Sequence, residues 1–214
     1  PKIHNHWIES EKIDVGPYKK INVKKENFIR DVDRLIEEGY YVLNVTIPLK
    51  EDAYRYCDNT SDVARTLKAV NTLIINKDGV YGDNTDPIGF EKSIANRGIN
   101  NKPCLVLGAG GSARAVVYAL THMKCEIGIY NRTRENAESL CSDLGVEATI
   151  LTETTLREFV GSSQLVVNTT SLGQQEGEEN NLIDFNSLNA SAHVYDLIYN
   201  PSKTIFLKHA EKNG

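Results

Sequence analysis

Basic residues are in deficit in this chain. Across 214 residues, 24 lysines and arginines face 29 aspartates and glutamates, for a formal net charge of -5. That balance removes the electrostatic footprint that draws a protein to nucleic acid or to an anionic membrane, although local basic sites for a small anion stay open. No apolar run approaches the roughly 20 residues needed to cross a bilayer, and no signal segment is legible. No C-x-x-C pair occurs among Cys57, Cys104, Cys125 and Cys141, so free thiols in a reducing compartment, the cytoplasm, are expected. The five histidines are scattered, and His4 with His6 lacks a matching carboxylate cluster, so no metal site is expected. Repeats and low-complexity tracts are absent. So is an initiator methionine: the chain opens at Pro1 and stops just after an amphipathic segment, and a longer parent chain is expected.

What is present describes a globular protein. Hydrophobic residues make up 40% and charged residues 25%, enough apolar surface for a core. The length fits one large domain or two modest ones. In residues 26–38, Phe28, Val32, Leu35 and Ile36 recur at helical spacing, and Gly39 ends that helix. Strand 41–45, helix 51–68 and strand 70–75 follow. Lys77-Asp78-Gly79 reads as a hairpin turn into strand 80–82, then a polar loop at 83–86 and a helix at about 87–96. Residues 97–102 read as a hinge between two domains. Beyond it, strands at 104–107, 126–130, 148–150, 165–167 and 194–197 alternate with helices at about 111–122, 134–144 and a short one after 150. That alternation predicts an α/β fold of two domains, divided 1–98 and 99–214, the second a Rossmann-type domain with a parallel sheet between helices.

The loop Gly108-Ala109-Gly110-Gly111-Ser112-Ala113 has the form G-x-G-x-x-A directly after a strand and at the opening of a helix, the context a dinucleotide fingerprint requires. The first glycine makes the turn, the second admits the pyrophosphate to the backbone, and the helix N-terminus offers free N–H groups. The alternative is an ordinary glycine turn. NAD binders place an acidic residue at the end of the second strand to hold the ribose. Here the strand ends in Asn131-Arg132-Thr133-Arg134, without a carboxylate. A guanidinium grips a 2′-phosphate, so NADP is favoured over NAD, unless both arginines are merely solvated.

Two further constellations stand in the first half. Asn44-Val45-Thr46-Ile47-Pro48-Leu49-Lys50 brings a strand to a proline and then sets a lysine at a helix start, against the dipole preference there. Gly82-Asp83-Asn84-Thr85-Asp86-Pro87 places a carboxylate before a proline, where Asp86 could be no more than an N-cap. Ala69-Val70-Asn71-Thr72 adds a polar site at a strand start.

These three segments, the glycine loop, Asn131-Arg132-Thr133, Asn168-Thr169-Thr170-Ser171-Leu172-Gly173 and Asp196-Leu197-Ile198-Tyr199-Asn200-Pro201 stand in the order seen in shikimate dehydrogenases. Over essentially its whole length the chain resembles that family. The resemblance implies NADPH-dependent reduction of the C3 carbonyl of 3-dehydroshikimate to shikimate, with Lys50 and Asp86 as the catalytic pair. It also implies substrate contacts from Thr46, Asn71 and Tyr199. The loop from Gly108 through Ala109, Gly110 and Gly111 to Ser112 would hold the pyrophosphate. Asn131, Arg132 and Thr133, with Arg134, would hold the 2′-phosphate, Leu197 would lie near the nicotinamide, and Asp62 near the cofactor. The expected assembly is a monomer or homodimer. The chain departs from the family pattern at several points. Two substrate-binding serines that the family carries upstream of the position of Pro1, and a glutamine-bearing helix that it carries beyond position 214, fall outside this sequence. Asn136 replaces a second arginine, Lys68 stands where glycine is common, and Gln174 replaces an apolar residue. An NAD-preferring quinate/shikimate dehydrogenase and a non-catalytic module that senses a metabolite are the competing readings.

Overall fold

Helix α1 (Lys2–Ser10) opens the chain and buries no residue. It is tied down by Asn5, which exchanges two hydrogen bonds with the Tyr18 backbone, and by His4 stacked on the Tyr18 ring at 4.2 Å. The computed structural model describes residues 1–175 and 181–213. The next elements are α2 (Phe28–Glu37) and β1 (Val42–Asn44). Phe28, Val32 and Leu35 lie on one face of α2 and are buried, as their spacing requires.

The single helix expected over 51–68 is instead two, α3 (Lys50–Tyr56) and α4 (Asp62–Leu67), with a short strand, β2 (Asn59–Thr60), between them. Side-chain hydrogen bonding overrides the apolar periodicity here. Asp58 accepts the Val80 N–H at 2.8 Å, and Ser61 caps α4 by accepting from the Ala64 N–H. Both residues draw the backbone out of helix and into pairing with the next hairpin. That hairpin is β3 (Thr72–Asn76) and β4 (Gly79–Asp83). With β1 and β2 it makes a four-stranded sheet in the order β1-β3-β4-β2.

Helix α5 (Asp86–Ile94) leads across to the second half. Strands β5 (Pro103–Leu107), β6 (Glu126–Tyr130), β7 (Thr149–Ile150), β8 (Leu165–Asn168) and β9 (His193–Asp196) all run parallel, in the order β7-β6-β5-β8-β9. Helices α6 (Gly111–His122), α7 (Arg134–Leu144), α8 (Glu153–Ser162) and α9 (Ile205–Lys212) connect and cover them. Along β5, Cys104 and Val106 face one apolar cluster while Leu105 and Leu107 face another, which is why this strand is apolar throughout. The chain order reverses between β5 and β8, the position at which open α/β sheets form a ligand crevice.

The segment expected as a hinge, 97–102, is anchored rather than free. Ile99 is buried in the same cluster as Phe90 and Ile94 of α5 and the inner face of α6. Among the described residues no helix is long and apolar enough to cross a membrane.

Candidate active site

A cleft of about 860 Å³ separates the two sheets. Its front wall begins where β1 ends. Val45 N–H bonds the Asn71 carbonyl, Thr46 faces the cleft, and Pro48 stops the strand so that α3 starts at Lys50. Lys50 Nζ lies 2.6 Å from Asp86 Oδ2, with both side chains partly shielded from solvent. The other carboxylate oxygen, Oδ1, accepts from Asn71 Nδ2 at 2.8 Å. An ammonium has three donors. One is spent on Asp86, and no second hydrogen bond of the Lys50 ammonium occurs among the described residues. Two N–H groups are therefore free to meet an oxygen in the cleft.

Asp86 is not an N-cap. It is the first residue of α5, and its side chain makes no capping bond. Its backbone N–H donates instead to Asn84 Oδ1, and buried Asn84 is fixed in turn by donating to the Ala69 carbonyl. The polar run 83–86 is thus a set of side-chain-closed turns whose product is the direction of one carboxylate.

The rear wall is made at the carboxyl ends of the parallel strands. Gly108 follows β5 with φ +108°, and a Cβ there would lie 2.6 Å from Thr169 Oγ1, so the position demands glycine. Gly110 and Gly111 have open space where a Cβ would stand. Helix α6 starts at Gly111 without a side-chain cap, which leaves first-turn N–H groups available. Gly111 and Ser112 line the cleft, as do Leu197 beyond β9 and Tyr199, which is 90% exposed.

At the end of β6, Asn131 closes its own turn by donating to the Thr133 carbonyl. Arg134 is engaged with Glu138 at 2.6 Å, whereas exposed Arg132 joins no ion pair among the described residues. Open backbone N–H groups at the cleft and an exposed guanidinium beyond the second strand fit a phosphate-rich dinucleotide carrying a 2′-phosphate. Asp62 is not brought to the cleft. Its carboxylate is 93% exposed and pairs with Arg65.

The sequence reading passed over a third cluster at the edge of the cleft. Lys68 Nζ and Arg114 Nη1 both reach Asp143, at 3.1 and 3.0 Å, and Arg114 Nε also donates to the Leu67 carbonyl. The two cations hold the Asp143 carboxyl below its ordinary range, Lys68 first. Lys68 adopts the left-handed conformation, φ +51°, which accounts for the ease with which glycine fits there. Arg114 had a visible signal, a lone charge inside the apolar run Ala113–Val117. Nothing in the structure explains Gln174.

The fold and the cleft define a two-domain α/β protein of the Rossmann-containing class, with an ammonium–carboxylate pair facing the nucleotide side. The chain matches the family model for the shikimate dehydrogenase substrate-binding domain over residues 1–73 and that for shikimate/quinate 5-dehydrogenase over residues 91–198. It belongs to the shikimate dehydrogenase family. It is 38% identical over 220 residues to the shikimate dehydrogenase (NADP(+)) of Roseobacter denitrificans, and 37% identical over 221 residues to that of Caldicellulosiruptor bescii. The alignments cover 100% of this chain and 79% and 76% of those proteins. Among solved structures, the Aquifex aeolicus shikimate dehydrogenase aligns with a TM-score of 0.90 at 30% identity, covering 100% of this chain and 78% of that one. The Thermus thermophilus enzyme, solved in complex with NADP(H) and shikimate, aligns with a TM-score of 0.87 at 30% identity, covering 100% of this chain and 79% of that one.

Proposed function

We propose that the chain is an NADP-dependent shikimate dehydrogenase, reversibly reducing 3-dehydroshikimate to shikimate in aromatic biosynthesis, and that Lys50 and Asp86 carry the chemistry. The observation that supports this most directly is the 2.6 Å contact between Lys50 and Asp86 at a cleft whose opposite wall is the glycine loop.

The residues assign themselves roles by what each can donate. The glycine loop from Gly108 to Ser112 and the α6 N-terminus would hold the pyrophosphate. Arg132, with Asn131, Thr133 and Arg134 around it, would hold the 2′-phosphate, and Leu197 would pack near the nicotinamide. The cofactor, when bound, supplies hydride to a carbonyl carbon. Lys50 stabilises the charge that develops on the carbonyl oxygen and gives it a proton. In the reverse direction its neutral amine takes the hydroxyl proton back. Asp86 fixes the direction of the Lys50 amine, and Asn71 fixes Asp86. Thr46 and Tyr199 line the same cleft and would contact the substrate. Help of this acid–base kind is worth roughly 10²- to 10⁴-fold.

We place the domain boundary at 98/99, where Gly98 takes a left-handed conformation. The thiols are free, and a reducing cytoplasm, with the protein as monomer or homodimer, completes the proposal. The test is turnover with NADP and shikimate, followed at the nicotinamide absorbance, against parallel assays with NAD and with quinate. Turnover preferring NADP and shikimate is expected. Tight shikimate binding without turnover would replace the enzyme by a metabolite-binding module.

A further inference from the structure

The register of the front sheet sets two polar side chains against each other. β1 and β3 pair with Asn44 opposite Thr72, and directly opposed residues on one sheet face touch. Asn44 Nδ2 donates to Thr72 Oγ1 at 3.2 Å, and Thr72 Oγ1 donates onward to Asn71 Oδ1 at 2.9 Å. A hydroxyl has one proton. Having received from Asn44, Thr72 spends that proton on Asn71.

Both ends of this chain are fixed. Behind it, the Tyr18 hydroxyl donates to Asn44 Oδ1 at 2.9 Å, which turns the Asn44 amine toward Thr72. Ahead of it, the Thr85 backbone N–H also donates to Asn71 Oδ1, at 3.1 Å. The two halves of a carboxamide have nearly the same shape, so packing alone does not choose between its two orientations. The donors around it do. With Thr72 and Thr85 both aimed at Oδ1, the Asn71 amine must face Asp86 Oδ1. In the opposite orientation a carbonyl oxygen would face a carboxylate.

We propose that Thr72 is a positioning residue for the reaction: its hydroxyl sets the orientation of the Asn71 amide, which in turn holds Asp86 so that Oδ2 meets Lys50. Thr72 acts through Asn71 rather than on the reacting atoms. The idea rests on Lys50 and Asp86 being the catalytic pair, and the test separates the two.

Thr72→Val keeps the shape and the β-branch but removes the hydroxyl, while Thr72→Ser keeps the hydroxyl. Both are made in the wild-type chain, and Thr72→Val also in an Asp86→Asn chain. kcat and KM for shikimate are measured at saturating NADP, with NADP affinity by titration. Losing one hydrogen bond of this kind should lower kcat about tenfold in Thr72→Val, with NADP affinity unchanged and Thr72→Ser within about threefold of wild type. In the Asp86→Asn background the same Thr72→Val change should cost less than about twofold, because what it positioned is gone. Wild-type kcat in Thr72→Val, no rescue by serine, a parallel fall in NADP affinity, or the full loss repeated in the Asp86→Asn background would each overturn the role of Thr72. Wild-type turnover in Asp86→Asn alone would instead overturn the catalytic reading beneath it, and the role of Thr72 with it.

Discussion

The two walls of the cleft are built from different materials. The rear wall is backbone: a glycine loop, open N–H groups at the start of α6, and the carboxyl ends of parallel strands. The front wall is side chain. Lys50, Asp86, Asn71 and Thr72 are joined to one another by hydrogen bonds across a small mixed sheet whose first strand is partly exposed. A backbone site is sensitive to conformation and tolerant of side-chain identity, except where a Cβ intrudes. A side-chain site is sensitive to single atoms. The division of labour follows: affinity for the dinucleotide should live at the rear, and turnover at the front.

The largest effect expected at the rear is that of Gly108→Ala. The new Cβ meets Thr169 Oγ1 at 2.6 Å while the backbone is held at φ +108°. Two such costs, each of about 1–3 kcal/mol, should weaken NADP binding roughly a hundredfold by titration, with the front sheet intact. Unchanged NADP affinity would break the contrast between the walls. Arg132→Ala sharpens it. Removing one charge-assisted contact should weaken NADP about ten- to a hundredfold and leave NAD binding as it was. Equal losses for the two cofactors would remove Arg132 from the 2′-phosphate.

The smallest effect is expected where the walls meet. Lys68 and Arg114 hold the Asp143 carboxyl below its ordinary range. A depressed carboxylate contributes stability that is present above the unfolded value, about 3.9, and is lost as pH falls through the folded value. Asp143→Asn should therefore melt slightly lower than wild type at neutral pH, and the gap should close below about pH 4. A gap that persists or widens there would show that Asp143 acts by some other means. Lys68→Gly relieves the left-handed backbone while losing an exposed, solvent-screened ion pair, so its melting temperature should barely move.

The two halves also differed in how much the sequence disclosed. In the rear, β5 and β8 are short apolar runs, and Gly108 breaks the chain directly after β5, so strand, loop and helix could be read in order. In the front, periodicity misled at 51–68, because the carboxylate of Asp58 and the hydroxyl of Ser61 redirect the backbone through bonds to residues some twenty positions away. The approach of Lys50 to Asp86 spans 36 residues and left no local signature. Only the family resemblance joined them in advance. Helix α1 went unread although Ile3 and Trp7 stand at helical spacing; both remain exposed, and the helix buries no residue. The cluster of Lys68, Arg114 and Asp143 is tertiary throughout: Arg114 stood out as a lone charge in an apolar run, but its partners looked like ordinary surface charges until α4, α6 and α7 were brought together.

The division between the walls is tested most directly by Lys50→Ala, assayed for turnover and for NADP affinity on the same preparation. Turnover of shikimate should fall by roughly 10²- to 10⁴-fold, with NADP bound as tightly as by the unmodified chain. Retained turnover, or a loss explained entirely by weaker NADP binding, would contradict the placement of the chemistry on the front wall.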